Sequence, residues 1–263
     1  MTKTDNDVRR RQVPAVTRAI AILRRLARAD EPLGVNELAR ELDMVPSTCL
    51  HILRVLQEEG FVSSDARRRG YSIDVGILPI ANAALRKNTF ATLVQAGLDD
   101  IAARFDTTCV ATTLLEMQHM VVVALSEARM AFRLHVELGS RFPTLTSATG
   151  RCVAAFTDVD RKTLKGMFDR QKWDVPPTFD TWREEVEEAR RSGYAVDRGN
   201  YISGVTVVAV PVFDAGGRMA HSIVAIGIKE RVDKVGLGRL ANALLELRDD
   251  LAARQGERTP VGR

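Results

Sequence analysis

Cysteine, histidine and aromatic residues are all in short supply in this 263-residue chain. The three cysteines, Cys49, Cys109 and Cys152, are odd in number and widely spaced. That excludes a disulfide framework and a zinc-ligand pattern, and it fits a reducing compartment. The four histidines, His51, His119, His135 and His221, stand in no His-x-x-x-His or related spacing, so no metal site is expected. There is no Gly-x-Ser-x-Gly, Walker or dinucleotide fingerprint, and no cofactor is expected. Ser147 and Cys152 near Arg151 are conceivable nucleophiles, but no partner base is readable, and the chain is not read as an enzyme. Aromatics make up 5% of the residues, so the cores must be built from Leu, Val, Ile and Ala. No apolar run approaches the ~18 residues of a membrane span. The first residues, MTKTDNDVRRR, are polar and charged and are no signal peptide. The cytoplasm is the expected location.

What is present is positive charge, unevenly placed. The net charge is only +4 and the sequence pI about 9.1. From Val8 to Arg28, however, there are seven arginines (Arg9, Arg10, Arg11, Arg18, Arg24, Arg25 and Arg28) and no acid. A second basic knot is Arg67-Arg68-Arg69. One such run is ordinarily a solvated face; two flanking the same helical unit point to a polyanion.

The length favours two modest domains. Residues 1–12 read as a disordered basic arm. Helical periodicity follows, with Ala19, Ile20, Leu23, Leu26 and Ala27 on one face and Arg18, Arg24, Arg25 and Arg28 on the other. After EPLG comes a short helix from Val35 to Leu42, with Gly34 at its N-cap and Glu37 near its positive end. A third helix opens on Pro46 and stops at Gly60. The period then changes to two: Phe61, Ser63, Tyr71, Ile73 and Val75 alternate around an Arg-rich turn, which reads as a β-hairpin. Helix, helix, turn, helix, hairpin is the order of a winged helix-turn-helix, placed at 13–76. Residues 76–105 read as helical, with an interruption near Lys87-Asn88-Thr89, and 77–90 of them as a linker helix between the domains. From there to 253, strands are expected at Thr107–Leu115, Met120–Ser126, Phe132–Val136, Tyr194–Asp197, Val205–Phe213 and Ser222–Ile228. Helices are expected at Ser147–Phe156, Arg161–Phe168, Thr181–Ser192 and about Val235–Ala253. Strands flanking grouped helices predict an α+β sensor-type domain over 91–253. Residues 254–263 read as a disordered tail.

On the third helix, Cys49, Ile52, Leu53 and Leu56 share one buried stripe. Ser47, His51, Arg54 and Glu58 take the opposite face, with Thr48 beside them. In isolation that face would simply meet water. As the second helix of a helix-turn-helix pair, it presents its N-terminal residues to base edges. Hydroxyls beside a helix N-terminus are also good phosphate ligands. The phosphate-neutralising charge must come from outside this helix: the arm, Arg18 on the first helix, and Arg67, Arg68 and Arg69 at the hairpin tip. So short a reading face needs a second copy, and with it a roughly palindromic site.

These blocks resemble the IclR family of bacterial transcriptional regulators, over about Val13 to Ala253. The carriers are "VTRAIAILRRLARADEPLGVNELARELDMVPSTCLHILRVLQEEGFV", "LGSRFPTLTSATGRCVAAF" and "GVTVVAVPVFDAGGRMAHSIVAIG". The resemblance implies a winged-helix DNA-binding domain, a linker helix and a C-terminal GAF-like domain that binds a small organic effector. It also implies homodimers or homotetramers on operator DNA, acting as repressors or activators. By resemblance Leu134, Phe142, Ala148, Thr149 and Asp197 fall at pocket positions. Three further such positions depart from the family: Val207 replaces a polar residue, and Val224 and Ile226 replace a Ser-x-Ser. As core residues these three are ordinary; as pocket walls they lack carboxylate-binding hydroxyls and imply an effector more apolar than a small oxo-acid, or none. On the reading helix, Pro46 and His51 stand where Lys and Arg are common, which bears on base preference. The rival function is a winged-helix protein-interaction module that touches neither DNA nor effector.

Overall fold

The computed structural model describes residues 13–65, 70–115, 117, 119–126 and 136–256. They form two compact units that divide between Lys87 and Asn88.

The first unit opens with helix α1 (Pro14–Leu26), started by Pro14 at its first turn. Helix α2 (Val35–Glu41) follows, with Gly34 at its N-cap, and then α3 (Pro46–Glu58). Ile22, Leu26, Leu38, Ala39, Cys49, Leu53, Leu56 and Val62 fill the core among them. The expected apolar face of α1 needs correction. Ile22, not Ile20, is its central anchor; Ile20 is 41% exposed and Ala27 also faces outward. Residues 19–23 are all apolar, so periodicity alone could not phase that helix. Nor is its basic face uniformly free, because Arg25 forms an ion pair with Glu41 at the end of α2. Each partner holds the other in its charged form: the Arg25 pKa is raised and the Glu41 pKa lowered.

Gly60, at φ +74°, ends the third helix, and the hairpin β1 (Val62–Asp65) and β2 (Gly70–Ile73) follows with Val62 opposite Ile73. Val75, expected to continue the alternation, instead opens a single 3-10 turn and is exposed. The expected linker helix over 77–90 is α4 (Leu78–Lys87) alone. Asn88 belongs to the next helix, α5 (Thr89–Phe105), as its N-cap, its side-chain oxygen accepting from the Ala91 N–H.

Among the described residues, the second unit is built on a six-stranded antiparallel sheet. Its strands are β3 (Thr108–Leu115), β4 (His119–Leu125), β5 (Arg141–Pro143), β6 (Ala195–Arg198), β7 (Val205–Phe213) and β8 (Met219–Ile228). Their order across the sheet is β5-β4-β3-β8-β7-β6. Alternation splits the strands between two cores. Val208, Val210, Ile223 and Ala225 face α5 and α10 (Leu237–Gly256). Val205, Val207, Ala209 and Val224 face α6 (Ser147–Phe156), α7 (Arg161–Phe168) and α8 (Phe179–Ser192). The few aromatics are concentrated here: Phe168, Trp173, Phe179 and Trp182 lie within 5.3–5.9 Å of one another, centroid to centroid, in four pairs.

Several expectations shift. The short strand β5 was not foreseen. The strand expected at Phe132–Val136 lies outside the described residues except for Val136, which is in no strand. Helix α9 (Lys229–Val235) was missed; Gly236, at φ +91°, separates it from α10. Residues 254–256, expected in the tail, belong to α10, while 1–12 and 257–263 lie outside the described residues.

One buried polar cluster fixes the second core. Arg151 on α6 is fully buried. Its guanidinium donates to Asp197 Oδ2 (3.1 Å), Glu185 Oε2 (2.7 Å), Asn200 Oδ1 (2.9 Å) and the Ser147 carbonyl (3.0 Å). Asp197 Oδ1 accepts from the N–H groups of Gly199 (3.0 Å) and Asn200 (2.8 Å). Beside it, Gly150 lets α6 run against the chain that enters it: a Cβ there would lie 2.1 Å from the Leu145 carbonyl carbon.

Urea-unfolding measurements check this cluster. Gly150→Ala should cost at least ~1–3 kcal/mol, because backbone on both sides must yield. Asp197→Ala should cost ~3–5 kcal/mol by leaving Arg151 buried without its buried partner. Glu185→Ala should cost ~1–2 kcal/mol, since that carboxylate is 39% exposed and water can replace it.

Candidate functional site

Two sites emerge, one in each unit. In the first, α3 turns Cys49, Leu53 and Leu56 inward and presents Ser47, His51 and Arg54 to solvent, with Thr48 half-buried beside them. Val45, just before the helix, is 65% exposed, and Val55, one turn past His51, is 56% exposed. Val55 was not singled out by the sequence, because an apolar residue in an amphipathic helix is assigned inward by default. Its position gives the exposed face an apolar spot of the kind that meets a thymine methyl. Arg18 is exposed on α1. Arg67, Arg68 and Arg69 lie outside the described residues. The helix carries no side-chain N-cap, so its first backbone N–H groups face outward without a capping acceptor.

In the second unit a cavity of about 280 Å³ lies between the sheet and the start of α6. Such a volume is near the lower end of small-molecule sites, which run from ~300 to 1,000 Å³. The sheet supplies an apolar wall: Val110, Met120, Phe142, Val207, Val224 and Ile226. The opposite end is hydroxylated by Thr146, Ser147, Thr149 and Tyr201. Among the described lining residues there is no charged side chain.

Of the pocket residues expected from the sequence, Phe142, Thr149, Val207, Val224 and Ile226 line this cavity together. Ala148 and Asp197 do not; Ala148 is wholly buried in the core, and Asp197 is turned to Arg151. Leu134 lies outside the described residues. Val207, Val224 and Ile226 bring no hydroxyl to the strand wall, where Thr112 supplies one; the other hydroxyls gather at the helix end. There the signal was in the segment "TSATG" itself, but nothing in the sequence told which side of α6 would face a void.

The hydroxyls differ in how they are engaged. Thr146 donates to Gln171 (3.3 Å), and Thr112, on the sheet side, is paired with Ser222 (3.2 Å). Ser147 Oγ is buried with no hydrogen-bond partner among the described residues. Its backbone sits at φ +56°, a left-handed conformation that costs a non-glycine residue ~1–3 kcal/mol. Its carbonyl is held by Arg151, which keeps it there. Burial, and after it the nearby Asp174 carboxylate, push the Tyr201 phenol above its ordinary pKa, so it stays protonated. Burial pushes the Cys152 thiol up to about 12, and its Sγ bonds to the Ala209 carbonyl (3.3 Å); such a thiol is a packing residue. Among the described residues there is no cluster of three or more His, Cys, Asp or Glu able to hold a metal ion.

Both units have counterparts among known proteins. The family described as "IclR helix-turn-helix domain" matches residues 15–66, and "Bacterial transcriptional regulator IclR C-terminal" matches residues 82–253. The glycerol operon regulatory protein of Streptomyces griseus is 27% identical over 233 residues, 86% of this chain and 87% of that protein. The HTH-type transcriptional repressor AllR of Escherichia coli K12 is 23% identical over 222 residues, 83% of this chain and 81% of that protein. Among solved structures, an IclR-type transcriptional regulator from Alicyclobacillus acidocaldarius superimposes with a TM-score of 0.79 at 27% identity, covering 92% of this chain and 97% of its own. With a winged helix-turn-helix first and an α+β, GAF-like unit second, the chain belongs to the IclR family of bacterial transcriptional regulators.

Proposed function

We propose that this regulator binds operator DNA by placing α3 in the major groove, and that a small organic molecule in the α6 cavity modulates that binding. The observation that carries the DNA reading is the exposed Ser47, His51 and Arg54 face on the second helix of a helix-turn-helix, next to a two-stranded wing. Ser47 and Thr48 meet phosphate or base edges at the start of α3, and His51 and Arg54 reach bases one and two turns on. Arg18 and the wing arginines Arg67, Arg68 and Arg69 contact phosphates. In the cavity, Phe142, Thr149, Val207, Val224 and Ile226 contact the effector, and Leu134 joins them from the segment outside the described residues. Asp197 serves the site indirectly, by holding Arg151 behind the first turn of α6.

The protein works as a homodimer or homotetramer on a roughly palindromic operator. Support comes from the exposed apolar side chains of Val75, Leu78 and Ile80, which a second copy would cover. Its place is the cytoplasm, with the chromosome; among the described residues no helix is long and apolar enough to cross a membrane.

Titration of the protein against duplex DNA over a salt series tests the DNA reading. Affinity should fall steeply with salt. Replacing Arg67, Arg68 and Arg69 by Ala should weaken binding and flatten the log–log slope by up to ~0.9 for each phosphate no longer neutralised. Unchanged affinity would remove the wing from the interface. A protein-interaction module would show no salt-dependent duplex binding at all.

A further inference from the structure

The polar end of the α6 cavity is built for an uncharged head group, an inference that rests on reading this cavity as an effector site. The first observation is Ser147. The residue is only 6% exposed, lines the cavity, and its side-chain oxygen has no hydrogen-bond partner among the described residues. A hydroxyl offers one donor and accepts as well, so its natural complement is a group that does both. An alcohol or phenol does; a carboxylate only accepts.

The second observation is charge. No cation lines the cavity among the described residues. The charged group behind the first turn of α6 is Arg151, and it is already engaged by Glu185, Asp197, Asn200 and the Ser147 carbonyl. Two carboxylates against one guanidinium leave that cluster with excess negative charge. This opposes the attraction that the uncapped start of α6 would otherwise exert on an anion. Among the described residues, a buried carboxylate at Ser147 therefore finds no counter-charge and lies close to the Asp197 and Glu185 carboxylates.

The third observation is the opposite wall. Met120, Phe142, Val207, Val224 and Ile226 offer apolar surface and no side-chain donor. The hydroxyl on this wall, Thr112, is already paired with Ser222, so an apolar ligand body with its polar group at the Ser147 end fits best.

We propose that the cavity takes a small, uncharged ligand of alcohol or phenol type. Its hydroxyl exchanges hydrogen bonds with Ser147 Oγ, and its apolar body lies on Phe142, Val207, Val224 and Ile226.

Calorimetric titration of the full-length protein near neutral pH tests this with three ligands that share one body: 4-methylphenol, 4-methylbenzoate and p-xylene. The pair 1-pentanol and pentanoate repeats the comparison with a flexible body. The uncharged hydroxyl compound of each set should bind at least ~tenfold tighter than its companions, the order of one satisfied buried hydrogen bond. In Ser147→Gly, which removes the hydroxyl and suits the positive φ, the advantage of 4-methylphenol over p-xylene should shrink to within about threefold. Tightest binding by the carboxylates would overturn the uncharged head group while leaving the effector site standing. Equal binding of 4-methylphenol and p-xylene, or an advantage that survives in Ser147→Gly, would overturn the role of Ser147. If none of the five ligands binds, the proposal falls together with the effector reading.

Discussion

The second unit depends on a single buried guanidinium. Arg151 ties α6 to β6 through Asp197, to α8 through Glu185, and to the turn after β6 through Asn200. A charge with no exposed surface is tolerable only because every face of it is met. The same contacts shape the cavity. Arg151 holds the Ser147 carbonyl, so the strained start of α6 stays in place. Asp197 gathers the N–H groups of Gly199 and Asn200, which sets the turn carrying Tyr201 and Ile202 into the cavity wall. The polar cluster is thus the frame on which the cavity's hydroxylated end is mounted.

The first unit divides its work in a different way. On α3, one face holds the helix to its domain through Cys49, Leu53 and Leu56, and the other is left for a partner. That outward face has no net positive charge: it carries one arginine, Arg54, one glutamate, Glu58, and a histidine, His51. Affinity for a polyanion must then be supplied by side chains elsewhere, and selectivity by a few contacts near the helix start. The Arg25–Glu41 ion pair shows why arginine counting misleads: a cation committed to its own fold is less available to phosphate.

Most of the fold was legible in the sequence, because hydrophobic period and turn chemistry are local signals. Pro46 and Gly60 bracket α3, and the nearly continuous β-branched, apolar run Val205–Phe213 marks β7. Where the signal was not local, reading failed. The run of residues 19–23 is apolar on all sides and gave no phase, so Ile20 was placed inward and Ile22 overlooked. Strand β5, three residues long, exists only by pairing with β4. The cavity's strand wall was legible through resemblance, since Phe142, Val207, Val224 and Ile226 meet there. Of its hydroxylated end only Thr149 was, because the side of α6 that faces empty space depends on how Gly150 and Arg151 seat the rest of the helix. Asp197, placed at a pocket position by resemblance, is turned to Arg151 and is not among the residues lining the cavity.

The central claim is that an exposed helix face of low charge reads DNA sequence in a protein whose second unit answers to a small molecule. The most direct measurement is sequencing of the genomic fragments that the purified full-length protein retains at near-physiological salt. A small set of discrete sites sharing a roughly palindromic motif is expected, with His51→Ala altering the preferred bases within it. Retention spread evenly over the genome, or no retention at all, would contradict the claim.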